Sequence, residues 1–80
     1  MPYAKLVLAA GRDQGLEPAD VVGAIVDNTK LENDDVRNVK LLERFSFVEV
    51  PAAQADEVAD KVDGKRVRGT ELRVEVAKRR

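Results

Sequence analysis

The sequence predicts an α+β fold of the split βαβ type, in which two helices cover one face of a four-stranded antiparallel sheet. Two segments carry apolar side chains at helical spacing, and four short segments alternate apolar and polar side chains. Their order is strand, helix, strand, strand, helix, strand. A chain of 80 residues suits one such unit, and we expect residues 1–80 to form a single domain with a basic tail at about 77–80.

The first half of the chain supplies a strand and a helix. Alternation predicts a strand over 4–9, whose outward side chains are Lys5, Val7 and Ala9. The following loop between two glycines, residues 11–15, should hold Arg12 at the edge of the sheet. Pro18 suits the first position of a helix, which we expect over 18–29.

The two middle strands are predicted to form a hairpin. The second strand covers about 36–42, and a short connection at 43–44 leads into the third. In this register Leu42 opposes Phe45, Leu41 opposes Ser46, Lys40 opposes Phe47 and Val39 opposes Val48. The first and third pairs then share the outer face, and the other two point into the core.

The last third of the chain repeats the pattern of helix and strand. We expect a helix that opens at Pro51 and stops at Gly64, with a buried stripe formed by Ala52, Ala55, Val58, Ala59 and Val62. A turn at 69–70 leads into a last strand over 72–76, which directs Arg73 and Glu75 outward.

The uncovered face of this sheet would carry two aromatic rings, Phe45 and Phe47. Residues 43–50 approximate the RNA-recognition signature K/R-G-F/Y-G/A-F-V-x-F/Y, with a small Ser46 and departures at 43, 44 and 50. Rings exposed on such a sheet stack on unpaired bases. The alternative interpretation of the segment is a buried central strand in another kind of α+β domain.

Charge is distributed unevenly along the chain, although the net charge is −1. Residues 65–80 hold seven basic and two acidic residues, a net charge of +5, whereas residues 1–64 hold seven basic and 13 acidic residues, a net charge of −6. This asymmetry favours attraction of a phosphate backbone to one region. The alternative is a solvated C-terminal tail.

The composition argues against several classes of function. The chain has no Cys and no His, so we expect no disulfide, no thiolate or imidazole metal site and no cofactor. The loop at 11–15 lacks the Gly-Lys-Ser/Thr ending of a nucleotide-binding P-loop, and we expect no catalytic activity. A chain without Cys suits a reducing cytosol, and no apolar run is long enough for a signal peptide or a membrane span, so we expect a cytoplasmic protein. We also expect the isolated domain to be a monomer.

Four segments together resemble the C-terminal RNA-binding domain of the DbpA-type DEAD-box RNA helicases, a divergent RNA-recognition-motif fold. They are Gly11-Arg12-Asp13-Gln14-Gly15-Leu16, Pro18-Ala19-Asp20-Val21-Val22-Gly23-Ala24-Ile25, Arg44-Phe45-Ser46-Phe47-Val48-Glu49-Val50-Pro51 and Gly64-Lys65-Arg66-Val67-Arg68-Gly69. The resemblance covers nearly the whole chain. It departs from a standard RNA-recognition motif at Val7, where a stacking aromatic residue usually stands.

The resemblance implies a non-catalytic module that holds a helicase on structured RNA, in some members a hairpin of large-subunit ribosomal RNA. ATP binding, hydrolysis and unwinding would belong to a helicase core in the same polypeptide, and the cellular role would be ribosome biogenesis. On this resemblance we interpret the 80 residues as the C-terminal part of such a helicase. Neither a Walker loop nor an Asp-Glu-Ala-Asp motif occurs in them, so the helicase core would lie elsewhere in the polypeptide.

The candidate RNA-binding residues are Lys5, Arg12, Lys40, Arg44, Phe45, Phe47 and Arg73. The two rings would stack on bases, and the cations would contact phosphates and base edges. Two alternatives stay open. The apolar part of the face would also suit docking to a protein, and Arg12 with Asn38 would suit an acylphosphatase-like hydrolase on the same topology.

Overall fold

A four-stranded antiparallel sheet with two helices against one face organises the protein in the computed structural model, which describes residues 2–77. The main sheet is formed by β1 (Tyr3–Leu8), β2 (Arg37–Leu41), β3 (Ser46–Pro51) and β6 (Val74–Val76), which lie side by side in the order β2–β3–β1–β6. The helices are α1 (Pro18–Asn28) and α2 (Ala55–Val62), and a separate hairpin joins β4 (Arg66–Val67) to β5 (Thr70–Glu71). The predicted α+β fold with a split βαβ arrangement is confirmed. Of the predicted basic tail, Lys78, Arg79 and Arg80 lie outside the described residues.

The core lies between the helices and the inner face of the sheet. Its fully buried members from the two central strands are Leu6, Leu8, Ser46, Val48 and Val50. The helices supply the apolar side chains that cover them, chiefly Val21, Ile25, Val58 and Val62. The Ser46 hydroxyl donates a hydrogen bond of 2.5 Å to the Ala10 carbonyl, which satisfies a polar group in an otherwise apolar layer.

The hairpin of β2 and β3 has the predicted register at its closed end. Leu41 opposes Ser46 and Lys40 opposes Phe47, and the Leu42 N–H donates to the Phe45 carbonyl at 2.8 Å. The predicted pairing of Val39 with Val48 is wrong, because the register shifts by one residue between Arg37 and Lys40. Asn38 has a φ of 52° there, so β2 contains a bulge that places Arg37 opposite Glu49.

The start of α1 follows the sequence closely. Pro18 is its first residue, and Leu16 and Val21 are both buried, as a hydrophobic staple requires. The Glu17 N–H donates to the Asp20 carboxylate at 2.8 Å, which satisfies one of the N–H groups at the helix start. The helix ends at Asn28, one residue before the predicted end.

The second helix begins later than predicted. Strand β3 continues through Pro51, and a 3-10 turn over Ala52–Gln54 precedes α2. Ala52 is therefore exposed rather than part of the buried stripe, whereas the predicted burial of Ala55, Val58, Ala59 and Val62 is confirmed. The Ala52 N–H donates to the Pro2 carbonyl at 3.1 Å, which extends the pairing of β3 with the start of the chain.

The β4–β5 hairpin was not predicted as paired strands. Its tight turn lies at Arg68 (φ 51°) and Gly69 (φ 78°), one residue before the turn expected at 69–70. Two central residues with positive φ are typical of a two-residue hairpin turn. Arg68 Nε lies 2.6 Å from Asp20 Oδ2, and this ion pair ties the hairpin to the start of α1.

Asp20 therefore makes two contacts that predict a pH-dependent stability. The hydrogen bond from Arg68, followed by that from the Glu17 N–H, lowers the pKa of the Asp20 carboxyl. Stabilisation by this group is complete above the pKa of an unfolded Asp, about 3.9, and is lost as the pH falls through the lower folded pKa. Asp20→Asn should therefore melt at a lower temperature than the parent at pH 7, and the difference should shrink as the pH falls below about 3.9 and the carboxylate becomes protonated.

The measurement is thermal unfolding followed by circular dichroism across this pH range. Asp27→Asn is the matched control, because it removes the same charge from an exposed position of the same helix. A loss that is equal for the two variants, or that persists unchanged at low pH, would contradict the role given to the Asp20 carboxylate.

Candidate nucleic-acid interface

The face of the sheet opposite the helices, here called the open face, is built of rows that cross the strands. The first row contains Leu42, Phe45, Ala9 and Arg73; the second contains Lys40, Phe47, Val7 and Glu75; the third contains Arg37, Glu49, Lys5 and Ala77. Side chains directly opposite one another on neighbouring strands point to the same side. The outward placement predicted for Phe47 and its neighbours is therefore confirmed.

The two phenylalanine rings differ in their surroundings. Phe47 is half-buried, with Lys5 Nζ 5.3 Å from its ring centroid, close enough for a cation–π contact. Phe45 immediately precedes β3 and is 51% exposed. Among residues 2–77, it is the large hydrophobic residue that stands out as exposed. A ring exposed to this degree provides a flat apolar surface on which a planar partner can stack.

Two residues of the open face were missed by the sequence analysis, Tyr3 and Arg37. The guanidinium carbon of Arg37 lies 4.8 Å from the centroid of the Tyr3 ring. Tyr3 was missed because the first strand was predicted to begin at Ala4, one residue after the observed start of β1. Arg37 faces outward because of the bulge. The sequence indicates the bulge only through Asn38, since Asn tolerates a positive φ better than most residues.

The charges of the open face favour a polyanion. Among residues 2–77, four cations lie on it: Lys5, Arg37, Lys40 and Arg73. It carries two carboxylates, and one of them, Glu49, accepts a hydrogen bond of 2.5 Å from the Asn38 amide. The open face is therefore locally positive in a chain whose formal net charge is −1.

Two further candidate cations, Arg12 and Arg44, lie at one edge of this surface. The Arg12 N–H donates to the Leu42 carbonyl and the Asp13 N–H to the Glu43 carbonyl, each at 2.9 Å. These bonds seat the 3-10 turn Arg12–Gln14 against the connection between β2 and β3. Both arginine side chains are exposed there, beside the row that contains Phe45.

The structure thus places five of the seven predicted site residues on the open face and the other two at its edge. Their role in binding stays a prediction. The pair proposed for the hydrolase alternative is not brought together, because Asn38 lies four strand positions from Leu42, the backbone partner of Arg12, roughly 13 Å away. Asn38 is instead engaged with Glu49.

Within residues 2–77, no three carboxylates gather where they could hold a metal ion. None of the helices in that part of the chain has the length and apolar character needed to span a bilayer.

A split βαβ sheet whose open face presents aromatic rings among cations is typical of RNA-binding domains of the RNA-recognition type. Residues 5–76 match the sequence family described as the DbpA RNA binding domain. The match extends over nearly all of the chain, which therefore belongs to this family. The protein is an RNA-binding domain.

A relative from Treponema pallidum (strain Nichols), named only as an uncharacterized protein, is 20% identical over 74 residues. The similar region covers 92% of this chain and 32% of the relative. The chain thus spans about a third of the length of that protein, and the comparison assigns it no activity.

The seating of Arg12 depends on Gly11, which is buried against the β2–β3 connection. A Cβ at this position would overlap the carbonyl oxygens of Leu42 and Glu43, whereas a Cβ at Gly23 in α1 would meet open space. Gly11→Ala should therefore destabilise the fold by about 1–3 kcal/mol and weaken RNA binding by displacing Arg12. Gly23→Ala, the matched control, should stabilise by about 0.5–1 kcal/mol because alanine favours the helix.

Chemical denaturation gives both free energies of unfolding, and titration with an RNA hairpin gives the affinities. If Gly11→Ala unfolds at the same denaturant concentration as the parent and binds RNA equally well, the close approach at this edge does not position Arg12.

Proposed function

We propose that this domain binds unpaired bases of a structured RNA on its open face and so tethers a DEAD-box RNA helicase to that RNA. The observation that carries the proposal is the exposed Phe45 ring, placed on a sheet face with four cations. Membership of the DbpA RNA binding domain family supports it. We further propose that the domain is part of a helicase, and we propose which RNA it binds.

Stacking would provide the base contacts. Each base stacked on an aromatic ring contributes about 1–3 kcal/mol, and it does so for every base because each has a π-face. Phe45 is accessible as it stands. A base that stacks on Phe47 would take the place of Lys5 over the ring, and the lysine would then be available to a phosphate.

The cations would position the backbone and contact base edges. Lys5, Lys40 and Arg73 lie among the rings and would neutralise phosphates on either side of a stacked base. At the edge, the guanidinium fork of Arg44 would contact a base edge and Arg12 a phosphate. The sequence 78–80 would add non-specific attraction to phosphates.

The larger context follows from the family. We propose that a helicase core with the Asp-Glu-Ala-Asp motif precedes this domain in one cytoplasmic polypeptide and that the bound element is a hairpin of large-subunit ribosomal RNA. ATP hydrolysis would belong to the core, and the complex would act in ribosome biogenesis. The open reading frame upstream of the codon for Met1 tests this context: a helicase core there supports it, and an in-frame stop codon opposes it.

Docking of a protein partner is the second candidate, favoured by the apolar side chains of Val7, Leu42 and Phe45 on the open face. Salt distinguishes the two functions. Affinity for RNA falls steeply with salt because phosphate contacts release counterions, whereas apolar docking does not depend on salt in this way.

Removal of either ring should weaken RNA binding. Phe45→Ala should lower the affinity for a hairpin with an unpaired loop by about 1–3 kcal/mol, with a change in stability of about 0.5 kcal/mol or less because the ring is exposed. Phe47→Ala should cost similar binding energy and more stability, since its ring is half-buried. Isothermal titration and thermal unfolding measure the two effects. A large loss of stability in Phe45→Ala with unchanged RNA affinity would assign that ring to the core.

Replacement of a cation on the open face should change the salt dependence. Lys40→Ala should reduce the slope of log affinity against log salt by about 0.7, the value for one phosphate contact on a single strand. Lys30→Ala removes the same charge beside Leu31 and Gln54 on the helical side and should leave the slope unchanged. Binding isotherms across a salt series compare the variants. Equal slopes for Lys40→Ala and the parent would exclude a phosphate contact at this position.

A further inference from the structure

The last strand of the main sheet, β6, has an outer edge that no other strand of residues 2–77 covers. The Arg73 carbonyl and the Ala77 N–H make hydrogen bonds of 2.9 and 2.8 Å on the side of β1. Successive residues of a strand direct their backbone groups to opposite neighbours. The N–H and carbonyl groups of Val74 and Val76 therefore point away from the sheet.

The first part of this outer edge is already bonded, and the rest is available. The Gly64 N–H donates to the Leu72 carbonyl at 2.7 Å, and the Val74 N–H donates to the Asp63 carboxylate at 2.9 Å. Beyond that point, the Val74 carbonyl and both backbone groups of Val76 have no backbone partner among residues 2–77. Unpaired backbone groups of an edge strand are the groups to which an extended peptide bonds when it adds to a sheet.

A groove between the outer edge of β6 and α2 would receive the side chains of such a peptide. Its apolar floor includes Ala59 and Val76. Four exposed carboxylates line it, those of Asp56, Asp60, Asp63 and Glu75, and among residues 2–77 no Lys or Arg does. The groove is therefore strongly negative, in contrast to the open face.

The charge of this groove distinguishes between possible occupants. Pairing of β6 with the β6 strand of a second copy would bring two sets of carboxylates together, and their repulsion opposes it. In an extended peptide every second side chain lies on the same side, so cations at alternate positions would all project toward α2. There they would meet Asp56 and Asp60, which form no ion pair within residues 2–77.

We propose that the outer edge of β6 binds an extended basic segment of a partner protein, which adds a fifth strand to the main sheet and directs alternate Lys or Arg side chains into the acidic groove. The backbone groups of Val74 and Val76 supply hydrogen bonds to any extended peptide. The carboxylates supply the preference for a basic sequence. Because the segment lies along the edge of the sheet, it leaves the rings of Phe45 and Phe47 uncovered.

The test titrates the domain with a fluorescein-labelled peptide of seven residues that has arginine at its second, fourth and sixth positions and threonine or valine between them. Fluorescence anisotropy should show saturable binding, and the same peptide with glutamate in place of arginine should not bind. Methylation of the N–H groups along one edge of the basic peptide should abolish binding. Methylation along the opposite edge should leave it intact, because only one edge of an added strand faces β6.

Variants of the domain test the two sides of the groove. Asp56→Asn and Asp60→Asn should each weaken binding of the basic peptide by up to about fivefold, as expected for an exposed ion pair. Asp27→Asn is the matched control, since it removes the same charge from an exposed position of α1. Val76→Pro removes an outward N–H and should abolish binding, because proline is compatible with an edge strand but donates no hydrogen bond. Thermal unfolding shows whether each variant is folded, and the methylated peptides test the same backbone contact without a change to the domain.

Several results would overturn this inference. They are equal affinity for the basic and acidic peptides, an equal effect of methylation along either edge, and no binding at peptide concentrations up to about 1 mM. A dimer in analytical ultracentrifugation that Val76→Pro dissociates would assign the edge to a second copy instead. Peptide binding that appears only after removal of residues 78–80 would assign the groove to the basic end of this chain.

Discussion

Burial of alternate side chains on the two central strands, β1 and β3, is the constraint on which the rest of the structure depends. Leu6 and Leu8 of β1 pair with Val48 and Ser46 of β3, and all four are fully buried. Complete burial of a Val or Leu side chain contributes about 1.5–3 kcal/mol, and a slip of one residue would expose the whole set. The same alternation leaves Phe47 and its neighbours on the open face, so the register that forms the core also determines which side chains that face presents.

The sequence was sufficient to predict the structure where the spacing of apolar side chains and a turn or helix start indicate the same arrangement. The closed end of the β2–β3 hairpin was predicted because a slip of one residue would put Lys40 in the core, and the start of α1 because Pro18 suits the first position of a helix. The bulge at Asn38 could not be predicted in this way. It depends on one backbone conformation with positive φ, which leaves no repeated pattern in the sequence.

The composition of the open face was predicted where the same alternation applies. Each site residue that alternation assigns to an outward position lies on the open face, and Arg37, which the bulge redirects, was missed. Pairing between distant segments accounts for the other errors. The start of the chain bonds to Ala52 and holds this segment outside α2, and the β4–β5 hairpin is tied to α1 through Arg68 and Asp20. Such contacts join residues far apart in sequence, so local periodicity carries no information about them.

The two rings of the open face have different relations to charge, which suggests a division of roles. Phe47 already has a cation, Lys5, near its ring, so a base that stacks there exchanges one contact for another while releasing the lysine toward a phosphate. The free energy of binding a base at Phe47 then includes an electrostatic contribution, which weakens as the salt concentration rises. Phe45 is exposed and has small neighbours, Val7 and Ala9, so stacking there adds apolar contact without that exchange. Base affinity at Phe45 should therefore depend less on ionic strength than at Phe47.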